Sequence, residues 1–400
     1  MGWRAERHSL PVYPAGRGSV AARRPRTDAP GIRQTLSMPK LASDARVRAA
    51  RLESHGLARG LPSVADAVRR LGAVQAQDFA ASKWVLGARV HDSVAADVDA
   101  AIESREVLRS WPMRGTLHLV PAESLRDILA ITGPRILQRA ATTHRELELD
   151  AEVYSAARRI AERELEGGRS LSRDELQAMW QAAGISTAGQ RGYHLIWWLA
   201  HDGVLCCGPV EGRGQRFVLL DEWSPRAAPA RARDETLTAL LLAYLTGHGP
   251  ATVQDFAWWS GVTLTDARAA LADASDAVAS FDDERFVVAS SSGSTPPSRA
   301  TGRHALAAFD EYYLGYRDRG PVCDRAHAAR IVPGGNGVFQ PTLVHNGRVV
   351  GLWRKSERAR ATSVTLDGFD GSLDPIAFTP RLREWARFRG RELGEVTTID

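Results

Sequence analysis

Four hundred residues, 44% hydrophobic and 25% charged, describe a globular chain of three or four modules rather than a disordered one. The longest apolar runs, such as 237–245, fall far short of the ~20 residues that a membrane helix requires, so no membrane partner is expected. The net charge of +5 is local: residues 1–37 hold seven Arg and two acids, and residues 38–400 sum to zero.

A nucleic-acid surface on the folded body must therefore come from local arginine placement, not from overall charge. Cys206, Cys207 and Cys323 make neither a disulfide framework nor a zinc site. Adjacent cysteines rarely bridge, and no Cys-x2-Cys or His-x3-His spacing accompanies them. A reducing, cytoplasmic compartment fits this usage. The Arg-, Pro- and Gly-rich stretch before residue 38 has no apolar signal-peptide core. It reads either as a disordered basic arm or as an over-extended start with translation beginning at Met38. The second reading is preferred, because no periodic pattern precedes Ala42.

In chain order, 42–59 carries Val47, Ala50, Leu52 and Leu57 at helical spacing. Ser63 caps a second helix over 64–71, which Gly72 ends. The run Gly72-Ala73-Val74-Gln75-Ala76-Gln77-Asp78 follows, and Asp78 caps a helix over 79–88. Residues 107–111 and 116–120 alternate as strands joined by Pro112-Met113-Arg114-Gly115. Helices followed by a small hairpin give a winged-helix pattern over 42–120. Residues 121–166 read as a helical connector. The pattern returns over 167–225, where Ser172 and Glu175 form a capping box and a Gly- and Arg-rich tip, 211–216, separates two strands. It returns again over 235–290, with Thr252 capping one helix, Thr265 opening the next, and wing strands at Phe281 and 286–289. Residues 290–299 are a Ser/Pro linker. Residues 300–400 turn to β texture, with Asn346-Gly347 as the clearest hairpin signal. The expected fold class is α+β: three tandem winged-helix units and a small C-terminal β-rich domain, preceded by the extension 1–41.

The chemistry centres on Gln75 and Gln77. In a helix, positions i and i+2 diverge; in an extended segment they share a face, with Val74 and Ala76 on the other. Two carboxamides together hold a water through their oxygens and donate through their nitrogens, but neither is a strong base. That restricts them to reactions with a good leaving group. The alternative is that they cap main-chain groups at a helix end. In the hairpin, Leu117 and Leu119 face the core, while Thr116, His118 and Val120 face the other way. Arg114 stands at the turn, suited to a phosphate. Trp111 and Met113 are either a wedge against bases or wing packing. His118 is either a structural histidine or an acid–base group. Arg213 and Arg216, at the second tip, suit a DNA backbone or a solvated loop. Asp310-Glu311 reads as a pair that neutralises an arginine cluster. No phosphate loop, Ser-His-Asp set or dinucleotide fingerprint appears, so no cofactor and no metal are expected.

The runs 72–78 and 110–119 resemble the bacterial winged-helix DNA glycosylases, whose azinomycin-resistance branch unhooks interstrand crosslinks. The runs 251–261, 308–317 and 335–342 are similar to the same family. The resemblance covers about 42–395. It implies three winged-helix units and a C-terminal β-barrel around duplex DNA, with a Gln-x-Gln catalytic motif falling on Gln75 and Gln77. The DNA contacts read from the residues themselves, Trp111, Met113, Arg114, Thr116, His118, Arg213 and Arg216, suit such an arrangement. The implied activity is monofunctional hydrolysis of N7- or N3-alkylated purines in double-stranded DNA, bulky adducts and crosslinks included, by a monomer. Two alternatives remain: a DNA-binding regulator without catalysis, and a catalytically idle scaffold. A regulator needs an exposed recognition helix, whereas Leu195, Ile196, Trp197 and Trp198 load the middle unit's second helix with apolar bulk.

Overall fold

The computed structural model describes residues 42–212, 214–226, 229–289, 300–357, 361–371 and 373–399. The N-terminal extension, the Ser/Pro linker and Arg213 lie outside them. Helix covers 49% of the described residues and strand 21%, a mixed α/β architecture.

The capping signals place most helix starts. Ser63 accepts from the Asp66 N–H and opens helix Val64–Leu71, and Gly72, with φ 74°, ends it. Asp78 accepts from Ala81 and opens Phe79–Gly87. Ser172 and Glu175 form the reciprocal box at Arg173–Ala182, and Thr252 and Asp255 do the same at Val253–Ser260. The next helix, Leu264–Asp273, is capped by Thr263 rather than Thr265. Helix Ala95–Glu103 escapes the sequence reading; its acids obscure a stripe of Val98, Ala101 and Ile102 that is buried. The connector is not continuous. It breaks into Ala122–Arg139, Ala141–Glu146 and Ala151–Leu165, the last opened by an Asp150 cap.

The strands depart most from the independent-wing expectation. β1 (Val74–Gln75), β2 (Val107–Met113), β3 (Thr116–Pro121), β4 (Leu205–Glu211) and β5 (Gly214–Leu219) form one sheet in the order β1-β3-β2-β4-β5. The first two hairpins thus fuse, through an Arg109–Cys207 pairing of β2 with β4. A further hairpin, β6 (Val278–Ser280) with β7 (Phe286–Val288), stands apart. In the C-terminal region β8 (Arg303–Leu306), β9 (Thr342–His345), β10 (Arg348–Glu357), β11 (Ala361–Gly368) and β12 (Glu392–Thr398) make a second five-stranded sheet in the order β12-β11-β10-β9-β8. Asn346-Gly347, both at positive φ, turn β9 into β10. β12 joins parallel to β11 after helix Pro375–Phe388. That helix starts earlier than its apolar pattern suggests, because Asp374 caps it and Pro375 sits at its first position.

Two cores meet at the Gln run. Val74 and Ala76 pack into one with Trp84, Phe388, Trp353 and Trp385, joining the first helices to the C-terminal sheet. Ala73 packs into another with Leu108, Val120, Leu241, Phe256 and Trp259. Burial of the Val and Leu side chains contributes ~1.5–3 kcal/mol each. The alternation of Ala73 against Val74 and Ala76 shows that the segment is extended. The alternation directs Leu117 and Leu119 to the core and Val120 to the other face, yet Val120 is as buried as Leu119. The sheet is covered on both sides.

Candidate active site

Main-chain contacts fix the Gln75–Gln77 segment on both edges. Val74 and Gln75 pair antiparallel with Leu119 and His118, and the Ala76 N–H donates to the Leu117 carbonyl at 2.7 Å. The Arg109 guanidinium, from β2, donates through Nη2 (2.7 Å) and Nε (3.2 Å) to the Ala76 carbonyl and lies over the Phe79 ring. On the opposite edge, the Gln75 N–H donates to Oε1 of Glu311 at 3.0 Å.

Glu311 is fully buried. Its Oε2 accepts from Trp259 Nε1 at 3.0 Å and faces His248 Nε2 at 3.4 Å. Burial pushes its carboxyl up. The His248 contact, the Arg114 charge and the Gln75 N–H outweigh that and hold it below its ordinary value. A negative charge therefore lies directly behind the Gln75 main chain. The neighbouring Asp310 takes a bidentate pair from the buried Arg89, at 2.8 and 3.0 Å. Arg89 also donates to the His55 and Val85 carbonyls, and its Nη2 lies 3.4 Å from His55 Nδ1, so all five of its N–H groups are engaged. The Asp310-Glu311 pair thus divides its work: Asp310 neutralises one arginine and Glu311 supports the Gln run.

Both carboxamide oxygens have partners. Gln75 Oε1 accepts from Arg114 Nη2 at 3.2 Å, and Gln77 Oε1 accepts from the Leu117 N–H at 3.1 Å. Main-chain capping is therefore true of Gln77, but each oxygen retains a second lone pair. Among the described residues no protein acceptor takes the carboxamide nitrogens. Gln75 is buried and Gln77 half-buried.

The hairpin is tighter than the four-residue turn expected. β2 runs to Met113, leaving Arg114 and Gly115 as a two-residue loop at φ 55° and 72°. Positive φ at both positions is the type I′ pattern, which normally selects Asn or Gly first. A left-handed arginine costs about 1–3 kcal/mol, a cost that accompanies positions held for function. Trp197 donates to the Gly115 carbonyl at 3.2 Å, and a Cβ on Gly261 would come within 3.3 Å of Arg114 Cγ. Helices from two other parts of the chain therefore clamp this turn.

Arg114 Nη2 also faces His118 Nε2 at 3.3 Å. His118 Nδ1 donates to the Thr116 carbonyl at 2.8 Å, which makes Nε2 the acceptor. Burial and then the Arg114 charge push the His118 imidazole down to about 3. It is a neutral acceptor that orients Arg114, not a proton carrier near neutrality. Thr116 is half-buried, its hydroxyl 3.4 Å from the Met113 carbonyl.

Other expected DNA contacts are not brought to this centre. Trp111 (2% exposed) packs near Phe217, and Met113 (0%) lies in the core with Trp259, so both are wing packing rather than a wedge. Arg216 is consumed internally by Ser170, Glu175 and Glu211. The middle unit's second helix, Arg191–His201, buries Leu195, Ile196 and Trp197 and leaves Arg191, Tyr193, His194 and Trp198 half-buried. Sequence reasoning missed Arg109, His248 and Trp259 at the site, and missed the role of Glu311. Their signal was at most an acidic doublet, because every partner lies tens to hundreds of residues away.

Residues 68–389 match the family described as DNA glycosylase AlkZ-like. The chain is 30% identical over 322 residues to an interstrand DNA cross-link repair glycosylase of Streptomyces sahachiroi, covering 74% of this chain and 83% of the relative. The solved structure of the Streptomyces sahachiroi DNA glycosylase AlkZ superposes with a TM-score of 0.72 at 25% identity, covering 90% of this chain and 100% of that one. Fold and site thus define a DNA glycosylase. The chain belongs to the AlkZ-like DNA glycosylase family.

Proposed function

We propose that this enzyme hydrolyses the N-glycosidic bond of N7- or N3-alkylated purines in duplex DNA, bulky adducts and interstrand crosslinks among them, and leaves an abasic site. Gln75 and Gln77 are its reacting-centre residues. The observation that carries this reading is a pair of carboxamides on a rigid extended segment, backed by the buried carboxylate of Glu311.

Alkylation makes the purine cationic, so the base departs without strong acid catalysis. The sugar then develops oxocarbenium character. Fixed carboxamide dipoles stabilise that charge and aim a water at the anomeric carbon, while the carboxylate behind Gln75 favours positive charge in front of it. Preorganisation is what the double-edged clamping of the segment supplies. Glu311 acts through Gln75 and is a positioning residue. Lys83 and Lys355 are each paired with a carboxylate, Asp99 and Glu357, which supports hydrolysis over a Schiff-base route.

We assign the chain to three winged-helix units, 42–120, 167–225 and 235–290, with a connector over 121–166 and a β-rich domain over 300–400 that curls as part of a barrel. The helix–helix–hairpin order of each unit supports this. A single-subunit enzyme on duplex DNA, with no cofactor, is the working form.

The test is incubation with duplex carrying N7-methylguanine, and with a bulky N7 adduct or crosslink, followed by hot alkali. Strand breaks at the lesion are expected; absence of base release from all of them would falsify the assignment. Gln77→Ala is expected to abolish release, and full activity in that variant would remove the residue assignment alone. Borohydride trapping of protein on DNA would overturn the hydrolytic route.

A further inference from the structure

Several buried or half-buried guanidiniums here are matched to a carboxylate. Arg89 has Asp310, Arg126 has Asp221, Arg216 has Glu175 and Glu211, and Arg285 has Asp282. Arg48, Arg51, Arg70 and Arg109 lack one and donate to main-chain carbonyls instead. Arg114 and Arg319 differ in sharing one aromatic ring.

The guanidinium carbon of each lies 5.0 Å from the centre of the Trp258 ring, so the two are separated by at most twice that distance. Arg319 is further held over Tyr313 and Phe339 and donates through Nε to the Tyr313 carbonyl at 2.9 Å. Among the described residues, neither Nη group of Arg319 has a protein acceptor, and Arg114 meets neutral acceptors on Gln75 and His118. Neither arginine makes an ion pair among these residues. Both, with Trp258, are half-buried and reach the surface. The two charges oppose one another: burial lowers the proton affinity of Arg114, the Glu311 carboxylate partly restores it, and Arg319 lowers it further. Three distant segments converge to make this pair: the hairpin turn, helix Val253–Ser260 and the loop after Glu311–Leu314. Two like charges gathered on an aromatic plate beside the reacting centre form an arrangement completed by an anion.

We infer that Arg114 and Arg319, backed by Trp258, form a clamp for a DNA phosphodiester that anchors the target strand beside Gln75. This deepens the glycosylase reading and rests on it. The free Nη donors of Arg319 suit non-bridging phosphate oxygens. The anion adds to Glu311 in offsetting the Arg114 charge beside Gln75.

Binding of wild type, Arg319→Gln and Arg319→Lys to duplex with a tetrahydrofuran abasic analogue is measured by anisotropy across a salt series. Arg319→Gln is expected to shallow the slope of log K against log salt by about 0.9, the value for one lost phosphate contact, with Arg319→Lys recovering it. Replacing the phosphate next to the analogue by neutral methylphosphonate is expected to weaken wild type more than Arg319→Gln. An unchanged slope, or equal loss for both proteins at every flanking position, overturns the clamp. A lowered melting temperature with an unchanged slope makes Arg319 structural and also overturns it. If wild type excises lesions while the slopes agree, the clamp alone falls; if wild type releases no base, the glycosylase reading falls first.

Discussion

The main-chain N–H of Gln75 donates to the carboxylate of Glu311 across 236 residues, at 3.0 Å. The same carboxylate holds Trp259, so one buried anion ties the Gln75–Gln77 segment to both the third helical unit and the C-terminal region. On the proposed function, neutral carboxamides gain from such a charge behind them, since release of a cationic base develops positive charge on the sugar in front.

Glu311→Gln keeps an acceptor oxygen for the Gln75 N–H and removes the charge. Single-turnover excision is expected to fall roughly tenfold to a hundredfold, with binding to abasic-analogue DNA nearly unchanged. Equal rates in the two proteins would exclude an electrostatic role. Glu311→Leu instead strands the Gln75 and Trp259 donors and is expected to cost about 3 kcal/mol or more in chemical denaturation.

Asp310→Ala leaves the fully buried Arg89 guanidinium without its counter-charge. A loss of about 3–5 kcal/mol is expected from breaking such a pair, read in urea titration. Loss below about 1 kcal/mol would mean that water reaches the site.

Trp111→Ala and Met113→Ala test packing against DNA contact. Both side chains are in the interior, so truncation is expected to cost about 2–5 kcal/mol of stability. The salt slope of DNA binding, measured on the folded protein, is expected to stay as in wild type. A reduced slope with intact stability would return them to the interface.

Several histidines are held neutral by burial: His118 at about 3, and His144, His201 and His304 at about 4. In the unfolded chain they titrate near 6.5, so below that pH the unfolded state binds more protons than the folded one. Their contribution is intact above about pH 6.5 and is lost as pH falls towards 4, by up to about 1.4 kcal/mol per pH unit for each histidine. Unfolding midpoints between pH 7 and 4 are expected to fall steeply. His118 being neutral throughout, the excision rate is expected to show no limb near 6.5 traceable to it, and His118→Gln should leave the pH profile unshifted.

The sequence by itself determined the local features. Ser63, Asp78, Ser172 and Thr252 marked helix starts because a cap needs one side chain and main-chain donors three residues on. Asn346-Gly347 marked its hairpin for the same local reason. The Gln75–Gln77 pair was visible, with the condition that it be extended, and the alternation of Ala73, Val74 and Ala76 between two cores meets that condition. Tertiary structure decided the rest. It fused two hairpins through Arg109 and Cys207, buried Trp111 and Met113, spent Arg216 on nearby acids, and brought Glu311 and Arg319 to the reacting segment. Periodicity reports which side of a strand is apolar, but not which distant element covers it. A charge in a sequence likewise has no partner until the chain closes around it, and here the partners of Gln75 lie at Arg114, His118 and Glu311.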